Sequence, residues 1–311
     1  MKVGLLIGVK SSEKEIAMKS ARNIISALRA KNYELAEIPI DENVVENIKK
    51  EKIDVAIISA HGVYGEDGTI QGLLELLGIP YVGSGVLASA LALNKLMAKK
   101  IFTFHNIPTP KWIELSKKAL EEKDLIEIKK ELENLKMPLI IKPANQGSTI
   151  GLSVVKQEED LLKGIEYALQ YDSQIVIEKF IKGKEITAGI YDVEKPICLP
   201  LIEIIPKTGF YDYTTKYTPG LSEHIIPARL PEDIYKKAQE LGILAHQALG
   251  CRHLSRVDMI VEENTQNIYI LEINTIPGMT EVSLYPEAAK AFGIDFPDII
   301  DNFIKATLKS I

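Results

Sequence analysis

Apolar residues in the first eighty positions fall into short dense runs separated by amphipathic stretches. Lys2 to Val9 is almost continuously apolar and predicts a buried strand. Ser12 to Lys31 predicts a helix. Strands follow at Tyr33 to Ile40, Asp54 to Ala60 and Ile79 to Gly83, with helices at Asn43 to Glu51 and Ile70 to Leu77. This strand–helix alternation argues for a parallel sheet covered by helices on both faces. Ligands bind such sheets beyond the carboxyl ends of the strands. Ser11 to Glu15 and His61 to Gly68 are therefore candidate site loops. A long helix is expected from Val86 to His105, ended by the breaker Ile107-Pro-Thr-Pro110. Strands at Leu139 to Pro143, Leu152 to Lys156 and Ile175 to Phe180 follow, with helices near 117–134 and 158–170. Beyond Lys184 the pattern predicts strands at Glu185 to Tyr191 and Ile197 to Ile205, an irregular stretch at 206–230 and a helix at 231–249. A hairpin and two C-terminal helices finish the chain.

That hairpin is the most informative segment. Ser255 to Glu263 and Asn267 to Thr275 both alternate in period two, joined by the short polar Asn264-Thr265-Gln266. Centring it on Thr265 sets Asp258 opposite Glu272 and Arg256 opposite Asn274. Val257, Met259 and Val261 then share the other, core face with Tyr269, Leu271 and Ile273. Oxygen donors beside a cation are what Mg²⁺-nucleotide chemistry needs. A surface hairpin with solvated charges is the plain alternative, and the Thr275-Ile-Pro-Gly278 turn that follows weighs against it.

The fold class expected is α/β: an N-terminal parallel-sheet domain (1–85), then α+β units at 86–183 and 184–311. The 311 residues, 46% hydrophobic and 26% charged, suit a soluble globular chain of two or three domains. A net charge of −6 gives no general reason to expect nucleic acid or a membrane surface as partner. Cys198 and Cys251 form no Cys-x-x-Cys pair and are expected as buried free thiols. The apolar N-terminal run is too short for a signal peptide, and no run approaches a membrane span, so a cytoplasmic location is expected.

Several loops carry candidate chemistry. Asn145-Gln-Gly-Ser-Thr-Ile-Gly151, after Lys142-Pro143, could cradle a phosphate on backbone N–H groups. It lacks the Gly-x-x-x-x-Gly-Lys-Ser/Thr pattern of a P-loop. Glu178 to Glu185 could cross the edge of a nucleotide, with the backbone of Phe180 and Ile181 at the base and a carboxylate at the ribose; a solvated linker would look similar. Ser12 and Glu15 fit a helix capping box, which competes with a functional role for Glu15. Phe210 to Tyr217 lies in a long loop of the kind that often forms a lid.

Taken in order, these segments resemble the D-alanine–D-alanine ligases of the ATP-grasp superfamily, nearly end to end, from the first strand to Leu284. The carriers are His61-Gly-x-x-Gly-Glu-Asp-Gly68, Lys142-Pro-x-x-x-Gly-Ser148, Tyr213-x-x-Lys-Tyr217, Arg256-Val-Asp258 and Glu272-Ile-Asn-Thr-x-Pro-Gly-Met-Thr280. The resemblance implies a two-part ATP-grasp fold after the N-terminal domain. It implies that ATP activates one D-alanine as an acyl phosphate, which the amine of a second D-alanine attacks, for peptidoglycan precursor synthesis. By resemblance, Asp258, Glu272 and Asn274 hold two Mg²⁺ ions, for which Mn²⁺ could substitute. Lys95, Lys142, Lys216 and Gly147-Ser148 meet the ATP phosphates, and Glu178, Phe180, Ile181 and Glu185 meet the adenosine. Glu15 and His61 meet the first D-alanine, and Ser283 and Leu284 the second. Arg256 and the Gly278 N–H surround the tetrahedral intermediate, and Glu15, Ser148 and Tyr217 form a triad that closes the site. Tyr217 goes with the dipeptide rather than a D-alanine–D-lactate ester; another carboxylate–amine ligase is the alternative. Gly8-Val-Lys-Ser11, Gln146 and Thr149 depart from the commoner pattern. A homodimer is the expected assembly.

Overall fold

β1 (Lys2–Gly8), β2 (Glu34–Ile40) and β3 (Val55–Ser59) form a parallel sheet in the order β2-β1-β3. α1 (Lys14–Ala30) and α2 (Val44–Glu51) make the crossovers that parallel strands require. The computed structural model describes residues 1–10, 13–122, 125–147, 149–207 and 221–309, with backbone only at 121, 122, 125, 126, 129 and 131. The strand expected at Ile79–Gly83 is reduced to one parallel bridge between Ala56 and Tyr81. Pro80 has no N–H to extend it, and Gly83 turns away at φ +107°. α3 (Thr69–Leu76) begins where the 61–68 loop ends.

The helix expected over Val86–His105 is two helices, α4 (Val86–Leu93) and α5 (Lys95–Phe104). Asn94 between them has an extended ψ of 101°, and its side chain accepts the Met97 N–H at 2.9 Å. It is a helix cap inside an otherwise helical pattern. β4 (Trp112–Ser116), α6 (Lys117–Glu122), α7 (Leu125–Leu132), β5 (Leu139–Pro143), β6 (Ser153–Val155), α8 (Leu161–Leu169) and β7 (Gln174–Lys179) follow, and their strands form an antiparallel sheet β4-β7-β5-β6. β4 is absent from the sequence reading, because its five residues sit directly after the proline breaker.

The third sheet contains β8 (Gly183–Asp192), β9 (Pro196–Cys198), β10 (Ile202–Pro206), β11 (Ser222–Ile225), and, after α9 (Glu232–Ala248), β12 (His253–Glu262) and β13 (Ile268–Asn274). Its order is β11-β10-β8-β12-β13, with β9 also on β8. The expected strand Ile197–Ile205 is split around Pro200, which offers no donor to the ladder. Ile186, Ala188 and Ile190 of β8 pack with Met259 of β12, Phe102 of α5 and Ala238 of α9. Phe102 is wholly buried, worth about 1.5–3 kcal/mol against an exposed side chain.

α10 (Leu284–Phe292) and α11 (Phe296–Lys309) return to the first sheet. Tyr285 and Phe303 share a core with Val3, Leu5 and Leu28, and the Tyr33 hydroxyl donates to Asp301 at 2.6 Å. This packing sets Glu13, ahead of α1, and the loop after β3 beside the end of β13. Cys251 is buried and Cys198 half-buried, both as free thiols. No described helix is long and apolar enough to cross a membrane.

Candidate functional site

The β12–β13 hairpin pairs Arg256 with Asn274, Val257 with Ile273 and Asp258 with Glu272, the register read from the sequence. It then departs from that reading. A bulge after Asp258 pairs Met259 with Ile270, so Leu271 is the extra residue. The core positions expected of Tyr269 and Leu271 belong to Ile268 and Ile270, both buried. Leu271 is released to line a cavity, as bulges beside sites commonly re-aim a side chain. On the polar face, Arg256 grips Asp258 through Nε (2.9 Å) and Nη2 (2.7 Å). Thr187, opposite Asp258 on β8, donates to Asp258 Oδ1 at 2.7 Å.

One cavity of about 530 Å³ lies between the second and third sheets. Lys142 on β5, Glu178 on β7, Phe180, Ile181, Glu185 on β8 and Leu271 are among its walls. Lys142 Nζ lies 3.3 Å from Glu178, and Lys99 Nζ, from α5, also lies 3.3 Å from it. Burial alone would push the Glu178 carboxyl up, but the two ammonium groups outweigh it and hold the acid below its ordinary range. Burial pushes Lys99 down to about 8, against the pull of Glu178.

Lys95 depends on the break at Asn94. It starts α5, and its backbone N–H donates to Ala144 O at 2.8 Å. Its Nζ donates to Gln146 O at 2.8 Å and lies 3.2 Å from Glu272 Oε2. The Asn94 amide donates to Asn145 Oδ1 at 2.8 Å. A single helix through residue 94 would lack the cap that ties residues 144–146 to the head of α5.

A second cavity, also about 530 Å³, opens on the other side of Lys95 and Glu272, which line both. Among its walls are Glu13, His61, Arg256, Asn274, Gly278 and Ser283. Gly278 must be small: a Cβ there would stand 2.9 Å from Ser283 Oγ. Ser283 Oγ accepts the Thr280 N–H at 3.1 Å, and α1 secures the turn through Ser20 Oγ, which accepts the Met279 N–H at 3.1 Å. Leu284 opens α10 at the same wall.

Glu15 is not in this cavity. It is exposed on α1, while Glu13, two residues earlier, is buried and lines the site. A Cβ on Gly147 would lie 3.4 Å, and one on Gly62 3.5 Å, from Glu13 Oε2. Residue 13 also stands as the N-cap of α1, without a side-chain cap bond, so Glu15 has the helical position and Glu13 the inward one. Of the expected capping box, Ser12 lies outside the described residues, as do Ser148, Lys216 and Tyr217.

His61 is buried, and its Nε2 has no hydrogen-bond partner among the described residues. Burial, aided by Arg256 and opposed by Glu13, holds the imidazole below its ordinary range, so it is neutral near pH 7. Glu66 was missed by the sequence reading, although it stands inside the His61–Gly68 motif. It accepts the Gly62 N–H at 2.6 Å, and burial, with the Glu13 charge, raises its carboxyl to about 8. His224 and Glu287, 2.7 Å apart, also line the cavity. Only the one-turn spacing of Glu287 from Ser283 hints at that.

The donor set fits a hard divalent cation. Asp258 and Glu272 face each other, and Asn274 follows two residues on along the same strand. No group of three or more His, Cys, Asp or Glu suited to a metal occurs among the described residues. The third donor here is an amide oxygen. Asn274 Oδ1 accepts the Ile276 N–H at 3.0 Å and keeps a second lone pair. The carboxylates are meanwhile balanced by Arg256 and Lys95.

Comparison with known proteins gives a consistent result. A family model described as D-ala D-ala ligase C-terminus matches residues 101–305, and one described as D-ala D-ala ligase N-terminus matches residues 42–84. A D-alanine–D-alanine ligase of Pelotomaculum thermopropionicum is 49% identical over 311 residues, covering 100% of this chain and 98% of that protein. The crystal structure of D-alanine–D-alanine ligase from Bacillus anthracis complexed with ATP superposes with a TM-score of 0.85 at 36% identity, covering 100% of this chain and 98% of that one. The VanG D-Ala:D-Ser ligase from Enterococcus faecalis superposes with a TM-score of 0.84 at 31% identity, covering 98% and 99%.

Proposed function

The chain belongs to the D-alanine–D-alanine ligase family, and on that premise we propose that it joins two D-alanines at the expense of ATP, for peptidoglycan synthesis. One observation carries the proposal: Lys95 and Glu272 line both cavities. A phosphoryl group leaving a nucleotide in the first cavity for a carboxylate in the second would pass this shared wall.

In this reading Phe180 and Ile181 meet the adenine, Glu178 and Glu185 the rest of the adenosine, and Lys95, Lys142, Lys216 and the Gly147-Ser148 loop the phosphates. Glu13, in the place first read for Glu15, and His61 hold the first D-alanine. A carboxylate is a poor electrophile, and phosphorylation supplies its leaving group. Ser283 and Leu284 receive the carboxylate of the second D-alanine, whose amine attacks the acyl phosphate. Arg256 and the Gly278 N–H stabilise the oxyanion that forms. Asp258, Glu272 and Asn274 would hold Mg²⁺, two ions by the resemblance, which would supply positive charge against the phosphates. Tyr217 would favour D-alanine as acceptor.

The test is purified protein with ATP, Mg²⁺ and D-alanine, read by phosphate release and product mass. Phosphate release with a product of dialanine mass is expected. Release only when D-serine or D-lactate is added beside D-alanine would overturn the acceptor assignment. The proposal extends to a cytoplasmic homodimer, whose mass by light scattering should be twice the chain's 34.6 kDa.

A further inference from the structure

Lys99 has no place in that reaction, yet it is among the most buried side chains of the described residues, at 1% exposure. It stands one helical turn beyond Lys95 on α5. Its Nζ donates to Thr109 Oγ1 at 2.6 Å, and Thr109 donates in turn to Ile270 O at 2.9 Å on β13. Its ionic partner is Glu178, also 1% exposed, 3.3 Å away. Lys142 lies 3.3 Å from the same carboxylate. One buried acid thus sits between two ammonium groups, where one would neutralise it.

The two lysines are not equivalent. Lys142 lines the nucleotide cavity and Lys99 does not. Lys142 is therefore the one able to turn to an incoming phosphate. When it does, Glu178 loses a counter-ion, and a buried carboxylate without one is costly. Lys99 remains, fixed by Thr109. We infer that Lys99 is a positioning residue that keeps Glu178 neutralised and in place while Lys142 turns to the nucleotide phosphates. This rests on the nucleotide reading of the first cavity. Without Lys99, Glu178 would hold Lys142 back, and the loss would fall on the phosphates rather than on the nucleoside.

That difference gives the experiment. Binding of ATP and of adenosine, each with Mg²⁺, is measured by calorimetry for the wild-type protein, Lys99→Met, Glu178→Gln and the double variant. Lys99→Met is expected to lower the ATP-to-adenosine affinity ratio about tenfold, with adenosine affinity changed less than about threefold. In the Glu178→Gln background the same change should alter the ratio less than about twofold, because no carboxylate is left to retain Lys142. Equal loss of ATP and adenosine in Lys99→Met would assign Lys99 a merely structural role and overturn the inference. Should Lys99→Met fail to fold, the double variant decides, since it buries neither charge: a further tenfold fall in its ratio below that of Glu178→Gln would mean that Lys99 acts without Glu178. A wild-type protein that binds no ATP would remove the nucleotide reading itself, a result distinct from an unchanged ratio in Lys99→Met.

Discussion

Glu272→Gln is expected to slow D-alanine-dependent phosphate release by about a thousandfold, on the order of 4 kcal/mol in the barrier. The side chain stands at a wall common to the two cavities, opposite Asp258 and 3.2 Å from Lys95. Glutamine keeps its shape and an oxygen toward Lys95, but removes the negative charge. A divalent cation at this wall would lose a charged ligand, and Lys95 its counter-charge. Stability should hardly change. Glu272 is about a quarter exposed, and ion pairs at such positions are worth about 0–1 kcal/mol. The melting temperature should fall by no more than about 3 °C. Steady-state phosphate release beside a thermal melt separates the two effects. Activity within about tenfold of wild type would remove Glu272 from the proposed metal site and the shared wall from the proposed mechanism.

The hairpin that carries Glu272 shows how far the sequence is readable. Period-two alternation, two residues at a time, is enough to set Asp258 opposite Glu272, because a slip by one would turn Val257 and Ile273 out of the core. It is not enough to find the bulge. Tyr269, Ile270 and Leu271 are all apolar, so the pattern reads equally well in either phase. Only packing against α5 and α9 selects Ile268 and Ile270 for the core. The same limit hides the break in the helix at Asn94. Apolar spacing continues through it, and what interrupts the helix is a tertiary link from Asn94 and Lys95 to residues 144–146. Pro80 and Pro200 are readable signals whose effect the run of apolar residues outweighs. The motifs locate both cavities, and Glu66 lies within one of them, whereas His224 and Glu287 enter through the way the elements come together.

Glu13 and Glu15 set this limit against a measurable outcome. Glu13→Gln is expected to raise the KM for D-alanine roughly a hundredfold, on the order of 3 kcal/mol for a charge-assisted hydrogen bond lost in a buried site. The KM for ATP should move far less, because Glu13 lines the second cavity and not the first. Glu15→Gln should leave both constants within about twofold, as for most exposed surface positions. In the sequence a capping motif singles out Glu15 at the head of the helix, and nothing marks Glu13. In the fold, the entry of the chain into α1 turns Glu13 toward Gly62 and Gly147 and leaves Glu15 in water. Glu13 is also one of the charges that raise Glu66 and oppose the depression of His61. Its neutralisation should therefore lower the Glu66 carboxyl from about 8 and lower the imidazole further, and so change the pH profile of D-alanine use as well as its KM. If Glu15→Gln were the damaging change and Glu13→Gln the silent one, the inward acid would have no part in binding D-alanine, and the second cavity would need another group to meet the substrate's ammonium.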